Sequence, residues 1–198
     1  VKWYNLYGVH DASMLSTIGE QLGVNQLVLS SAMDTYARPQ IKWFDDDVYL
    51  SLKMLSLDEE SKEVHSENLV LYLRNNMLVT FQEREGDVFD PVRQRIRTGR
   101  KRIRQSGGDY LFFALLDVVV DNYGFVLSAI GEQLEALEDR VLSSTDPEIR
   151  QEIFRYKKEL SFLRKQIRPL RDILQLLAKV EAEDLSADAA MYTREVQN

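Results

Sequence analysis

Carboxylates are the groups in this sequence best suited to chemistry, and they stand in two kinds of setting. Asp45-Asp46-Asp47 and Asp58-Glu59-Glu60 are consecutive runs, whereas Asp117 and Asp121 are four residues apart in an apolar stretch. Hard divalent cations take carboxylate oxygens, but both runs lie beside strand-like segments and lack the spaced ligands of a closed loop. They read as solvated turns. Asp117 and Asp121 share one face of a helix, and a buried carboxylate must be paired or ligated. Two partners are open at this point: an ion pair with the arginines of residues 93 to 104, the simpler of the two, or a metal ion.

The other chemical groups exclude more than they suggest. Arg93, Arg95, Arg97, Arg100, Lys101, Arg102 and Arg104 form the densest positive segment, a composition that can track phosphates by releasing counterions. The chain nevertheless carries a net charge of −7, and no aromatic residue interleaves the run to stack bases. No nucleic-acid partner is therefore expected, and the run reads as a solvated helix face paired with carboxylates. His10 and His65 are the two imidazoles, and the absence of cysteine rules out a disulfide, a zinc–thiolate site or a cysteine nucleophile. There is no Gly-rich phosphate loop or G-x-S-x-G elbow, and the acids lack a base or nucleophile at any recognisable spacing. An enzyme is not expected.

The elements that must position these groups divide at Met77 to Arg104. Met77 to Phe81 has the apolar, β-branched run of a strand, Gly86 breaks it, and Asp90-Pro91 predicts a helix start with Asp90 as N-cap. Before this joint, Trp3 to Leu6 reads as a strand closed by Gly8. Asp11 caps a helix from Ala12 to Leu22 stopped by Gly23, and Asn25 caps a second short helix. Val48, Leu50, Leu52 and Met54 alternate with Tyr49, Ser51 and Lys53, which predicts a strand with one buried face. Leu69 to Leu73 reads as buried on both faces and pairs with Met77 to Phe81 through a turn at Arg74-Asn75-Asn76.

After the joint the chain reads as helix. Tyr123, Leu127, Ile130, Leu134, Leu137 and Val141 form one seam, and Ile149, Ile153, Tyr156, Leu160, Leu163, Ile167, Leu170, Leu174 and Leu177 form another. Asp146-Pro147-Glu148 restarts the helix between them, so the seams predict an antiparallel hairpin with arms of about 50 Å. Glu132, Glu135, Glu138 and Asp139 on the first arm are expected beside Arg155, Lys157 and Lys158 on the second, and Pro169 is expected to bend that arm. Tyr110 to Val120, interrupted by Asp117, falls short of the ~20 residues of a bilayer span. The expected fold is α+β: a mixed, mostly antiparallel sheet with short helices over residues 1–108, then a coiled-coil-like hairpin over 109–198.

Phe81-Gln82-Glu83, Gly86-Asp87-Val88-Phe89-Asp90-Pro91-Val92-Arg93 and Arg95-Ile96-Arg97 closely resemble the cytoplasmic domain of CorA-type magnesium and cobalt channels. Leu27-Val28-Leu29 with Arg38-Pro39, Asp109-Tyr110-Leu111 and Arg168-Pro169-Leu170-Arg171 extend the resemblance over nearly the whole chain. It implies a cytoplasmic regulatory domain at the inner membrane, a homopentamer in the full-length protein, and a membrane attachment only through a C-terminal pore not included in these residues. It also implies Mg2+ as a regulatory ligand, with Co2+ a second candidate. The resemblance places Asp117 and Glu195 among the regulatory metal ligands, with Ser30-Ser31 where the family has a Glu-Asp pair. ZntB-type zinc transporters share parts of the motif set, and a free-standing helical-hairpin adaptor is the reading from another class.

Overall fold

The structure, a computed structural model, describes residues 1–44, 47–58, 60–99, 101–143 and 147–179. Strand β1 (Lys2–Tyr7) ends where Gly8 turns at φ 87°. Helix α1 (Ala12–Leu22) starts where Asp11 Oδ1 accepts the Met14 amide at 2.9 Å and stops at Gly23, whose φ of 66° suits a residue without Cβ. Helix α2 (Gln26–Met33) is capped by Asn25, whose Oδ1 accepts the Leu27 amide at 2.8 Å. The bounds of α1 and the start of α2 fall where the sequence placed them, and β1 is one residue longer at each end than the expected Trp3 to Leu6.

Strands β2 (Gln40–Phe44), β3 (Asp47–Leu57), β4 (Val64–Arg74) and β5 (Met77–Gln82) complete a five-stranded sheet in the order β1-β5-β4-β3-β2. β1 lies parallel to β5 and every other pair is antiparallel, so the sheet is mixed as expected. β4 and β5 form the expected hairpin, with Asn75 at φ 50° in the tight turn. β2 was not foreseen: its residues are mostly half-exposed at the sheet edge, so no apolar periodicity marks it.

The expectation for β3 also needs correcting. Tyr49, Ser51 and Lys53 are only 0, 0 and 7% exposed, as deeply buried as the Leu50, Leu52 and Met54 with which they alternate. Helices cover both faces. On one side α1 and α2 bring Leu15, Val28 and Leu29 onto Tyr49, Val70, Tyr72 and Phe81. On the other, the long helices pack on Leu50, Leu52, Leu69 and Leu71.

After the joint come α3 (Asp90–Arg97), α4 (Lys101–Gln105), α5 (Gly108–Ser143) and α6 (Pro147–Lys179), the last running through Pro169. Taken as one helix, Gly108–Leu142 is long and apolar enough to cross a membrane, which the shorter stretch Tyr110 to Val120 did not suggest. The apolar residues of its first part lie inside the fold: Tyr110 to Leu116 and Val119 are all under 5% exposed. Asn122 Nδ2 donates to Leu55 O at 2.6 Å and the Tyr123 hydroxyl donates to Lys53 O, seating α5 on β3 beyond its last β2 pair at Ser51.

Most of each expected seam is covered. Tyr123, Ile130 and Leu137 are buried on the first arm and Ile149, Tyr156, Leu163, Leu170, Leu174 and Leu177 on the second, with Leu134 and Ile167 partly buried against the same core, whereas Leu127, Val141, Ile153 and Leu160 are 38 to 46% exposed. A lone partner helix covers a narrower stripe than the alternating four-three pattern occupies, so these four face outward. The Arg140 to Glu152 bridge at 2.7 Å reverses the expected polarity, with the base on the first arm. Arg155 lies over the Tyr156 ring instead, at 4.7 Å.

Candidate cation-binding site

The motif at the joint is a lock between elements. Asp87 Oδ1 accepts from the Phe89 amide at 2.8 Å and from Arg93 Nη1 at 2.6 Å, while Oδ2 accepts from Arg93 Nη2 at 2.5 Å and Asn5 Nδ2 at 2.9 Å. The expected N-cap, Asp90, is instead the first residue of α3, and Asp87 holds the chain entering the helix. Arg93 also lies over the Trp3 ring at 5.3 Å, and Trp3 meets Phe89 edge to face at 5.7 Å. Burial pushes the Asp87 carboxyl up, but Arg93, the Phe89 amide and Asn5 outweigh it and hold it below its usual range. Four donors saturate this carboxylate, so it joins β1 to α3 and leaves no lone pair for a cation.

The basic run folds on itself rather than presenting one face. Gly99, at φ 66°, separates α3 from α4, and Arg104 returns to donate to Ile96 O at 2.7 Å and Arg97 O at 3.4 Å. Its guanidinium thereby satisfies carbonyls at the C-terminus of α3. Arg93 pairs with carboxylates as expected, while Arg95 donates to the Tyr110 hydroxyl at 3.3 Å.

Among the acidic runs, Asp45, Asp46 and Glu59 lie outside the described residues. Asp58 Oδ1 accepts the amides of Glu60 and Ser61 at 3.0 and 2.6 Å, the exposed turn anticipated for that run. Asp47 is different, being partly buried and accepting from the Tyr72 hydroxyl.

Ser30 and Ser31 occupy the last turn of α2. Ser30 is exposed and its Oγ donates back to Gln26 O at 3.0 Å, while Ser31 is half-buried. This turn carries the negative end of the helix dipole, where a cation is favoured. The exposed carboxylate of Asp34 stands at the helix end and accepts the Tyr36 amide at 3.1 Å. Asp34 was missed as a candidate, although its place one turn beyond Ser30-Ser31 is the signal that finds it.

Asp117 lies half-buried on α5, and Asp121 is exposed rather than sequestered. Because α2 and α5 cover opposite faces of the sheet, the fold does not bring Ser30-Ser31 and Asp117 together within one chain. Glu195 lies outside the described residues. Among those described, no three of His, Asp and Glu gather closely enough to hold a metal.

The architecture is an α/β/α layered domain continued by a helical hairpin. The chain belongs to the CorA-like Mg2+ transporter protein family, whose model matches residues 1–198. That family is one of ion transporters rather than enzymes. The chain is 37% identical over 194 residues to the cobalt/magnesium transport protein CorA of Thermotoga maritima, covering 98% of this chain and 55% of that protein. It thus spans about half the length of the curated relatives it matches. Its fold is that of the soluble domain of CorA from Methanocaldococcus jannaschii, with a TM-score of 0.81 at 22% identity over 98% of this chain and 77% of that one. The ZntB cytoplasmic domain from Vibrio parahaemolyticus is similar at a TM-score of 0.64 and 16% identity, over 98% of this chain and 78% of that one.

Proposed function

We propose that this chain is the cytoplasmic regulatory part of a divalent-cation transporter carrying magnesium and cobalt, assembled as a homopentamer at the inner membrane. The observation that carries the reading is the family match over every residue, joined to 37% identity with a cobalt/magnesium transporter. A ZntB-like zinc transporter has only a lower fold similarity in its favour.

Regulation by magnesium in this reading is an event between copies. Asp117 of one copy and the Ser30-Ser31-Asp34 turn of another supply oxygens from faces that cannot meet within a chain, with Glu195 a further contributor. Serine hydroxyls are neutral, and magnesium relies on charged oxygens and retained water. The bound ion is therefore held loosely through its hydration shell.

The test uses the full-length protein in vesicles loaded with a magnesium-sensitive dye, with protease resistance followed in parallel. Wild type is expected to carry magnesium and to gain little protection from millimolar magnesium. Ser30→Glu with Ser31→Asp should bring strong magnesium-dependent protection, because an ion that binds the assembled state stabilises it by mass action. No magnesium flux would refute the transport reading. Protection already strong in wild type and unchanged in the double variant would refute the inter-copy site.

A further inference from the structure

A second polar site adjoins the end of α2 on the side facing α6. A cavity of about 320 Å³ is lined by Thr35, Tyr36, Lys53, Ser66, Glu83, Phe162 and Gln166, where the segment after α2 and helix α6 approach β3, β4 and the end of β5. Lys53 is only 7% exposed, an unusual depth for an ammonium group, and its Nζ donates to Thr35 O. Three donors and one protein acceptor leave it under-coordinated. Glu83 lines the same cavity without forming an ion pair to Lys53 among the described residues; its Oε1 accepts the Asn68 amide at 2.5 Å. Gln166, 8% exposed, closes the wall beside them.

Opposite charges that share a cavity without touching describe a ligand that carries both signs. We propose that this cavity binds a small zwitterion of the amino-acid class, its carboxylate on Lys53 and its ammonium on Glu83. Phe162 and Tyr36 supply apolar wall for a side chain, and the volume exceeds what one or two waters fill, at ~30 Å³ each. Burial pushes the Lys53 ammonium below its ordinary value against the pull of Glu83 and Asp34, which an approaching carboxylate would relieve. Because the cavity joins α6 to the end of α2, the occupied site ties the hairpin to the layer that carries Ser30 and Ser31.

The experiment takes the whole 198-residue chain and adds each standard amino acid singly at about 10 mM, reading melting temperature and amide resonances. Acetate and ethylamine serve as single-charge controls. At least one amino acid should raise the melting temperature and shift resonances of Thr35, Lys53, Ser66 and Phe162, and neither control should match it. Lys53→Met should abolish the response, and Glu83→Gln, which keeps an acceptor for the Asn68 amide, should weaken binding about tenfold by removing the charged partner of the ammonium. If Lys53→Met fails to fold, Glu83→Gln still decides. No response to any amino acid, an equal response to acetate or ethylamine, or undiminished binding in Glu83→Gln would overturn the proposal.

Discussion

Replacing Arg93 by alanine should be among the costliest substitutions in the front half, because it strands the Asp87 carboxylate. The Asp87 side chain is 6% exposed and that of Arg93 26%, so water can only partly replace the lost guanidinium. Breaking such a pair costs about 3–5 kcal/mol, and the residual exposure places this case near 3. Loss of the Trp3 stacking adds about 0.5–1 kcal/mol, while the link to exposed Asp90 adds almost nothing. At roughly 2–4 °C per kcal/mol for a chain of this size, the melting temperature should fall by ~7–16 °C. Asp87→Asn should cost less, about 1–2 kcal/mol, since the amide oxygen still takes the Phe89 amide and Arg93 can turn to solvent. The pH dependence gives the sharper check. The folded carboxyl of Asp87 lies below its usual range, so its contribution is present above the unfolded value of about 3.9 and disappears as pH falls through the folded one. Urea denaturation should therefore show the gap between wild type and Asp87→Asn in full at neutral pH and closing only in strong acid. A loss under about 1 kcal/mol in Arg93→Ala, or Arg93→Lys matching wild type, would refute a lock that depends on bidentate geometry.

Three further outcomes follow from the same geometry. Gly19→Ala places a Cβ 2.3 Å from Leu29 Cδ1, and because Leu29 is buried the overpacking should cost about 1–3 kcal/mol in urea denaturation, whereas Gly124→Ala, with nothing within 4 Å, should stabilise by up to ~1 kcal/mol. Tyr123→Phe leaves Lys53 O without its donor from α5 and should cost about 1–3 kcal/mol by calorimetry, with faster hydrogen exchange along β3. Titration with duplex and single-stranded oligonucleotides near physiological salt should show only weak binding that vanishes as salt rises, because Arg93 and Arg104 are engaged within the fold; tight, sequence-dependent binding would contradict that placement.

What local chemistry decides was legible in the residues themselves. Asp11, Asn25 and Gly23 cap or stop their helices wherever the sequence is read, because capping needs only a side chain and the next three amides. The β4–β5 hairpin was equally readable from two apolar runs around Asn75-Asn76. What failed depended on distant partners. Asp90 looks like the better N-cap until Arg93 and Asn5 converge on Asp87, and Asn5 comes from a strand 82 residues away. Ser51 and Lys53 look solvent-facing until helices cover that side of β3 as well. The helical seams showed where the arms touch but not that Leu127, Val141, Ile153 and Leu160 would be left outside the contact.

The candidate cation site resisted reading for a related reason, and the fold makes the reason specific. Carboxylates four residues apart on a helix, such as Asp117 and Asp121, present a pair only to whatever lies on that face. In this chain Asp121 faces solvent, while the α2 turn with Ser30, Ser31 and Asp34 lies beyond the sheet. α2 and α5 pack on opposite faces of the sheet, so no rearrangement of side chains within one chain brings Ser30, Ser31 and Asp117 into one set. In the reading proposed here only a second copy, rotated to bring its opposite layer alongside, can do so. Spacing along one chain encodes sites that close within that chain, and the site proposed here would be encoded in the relation between copies.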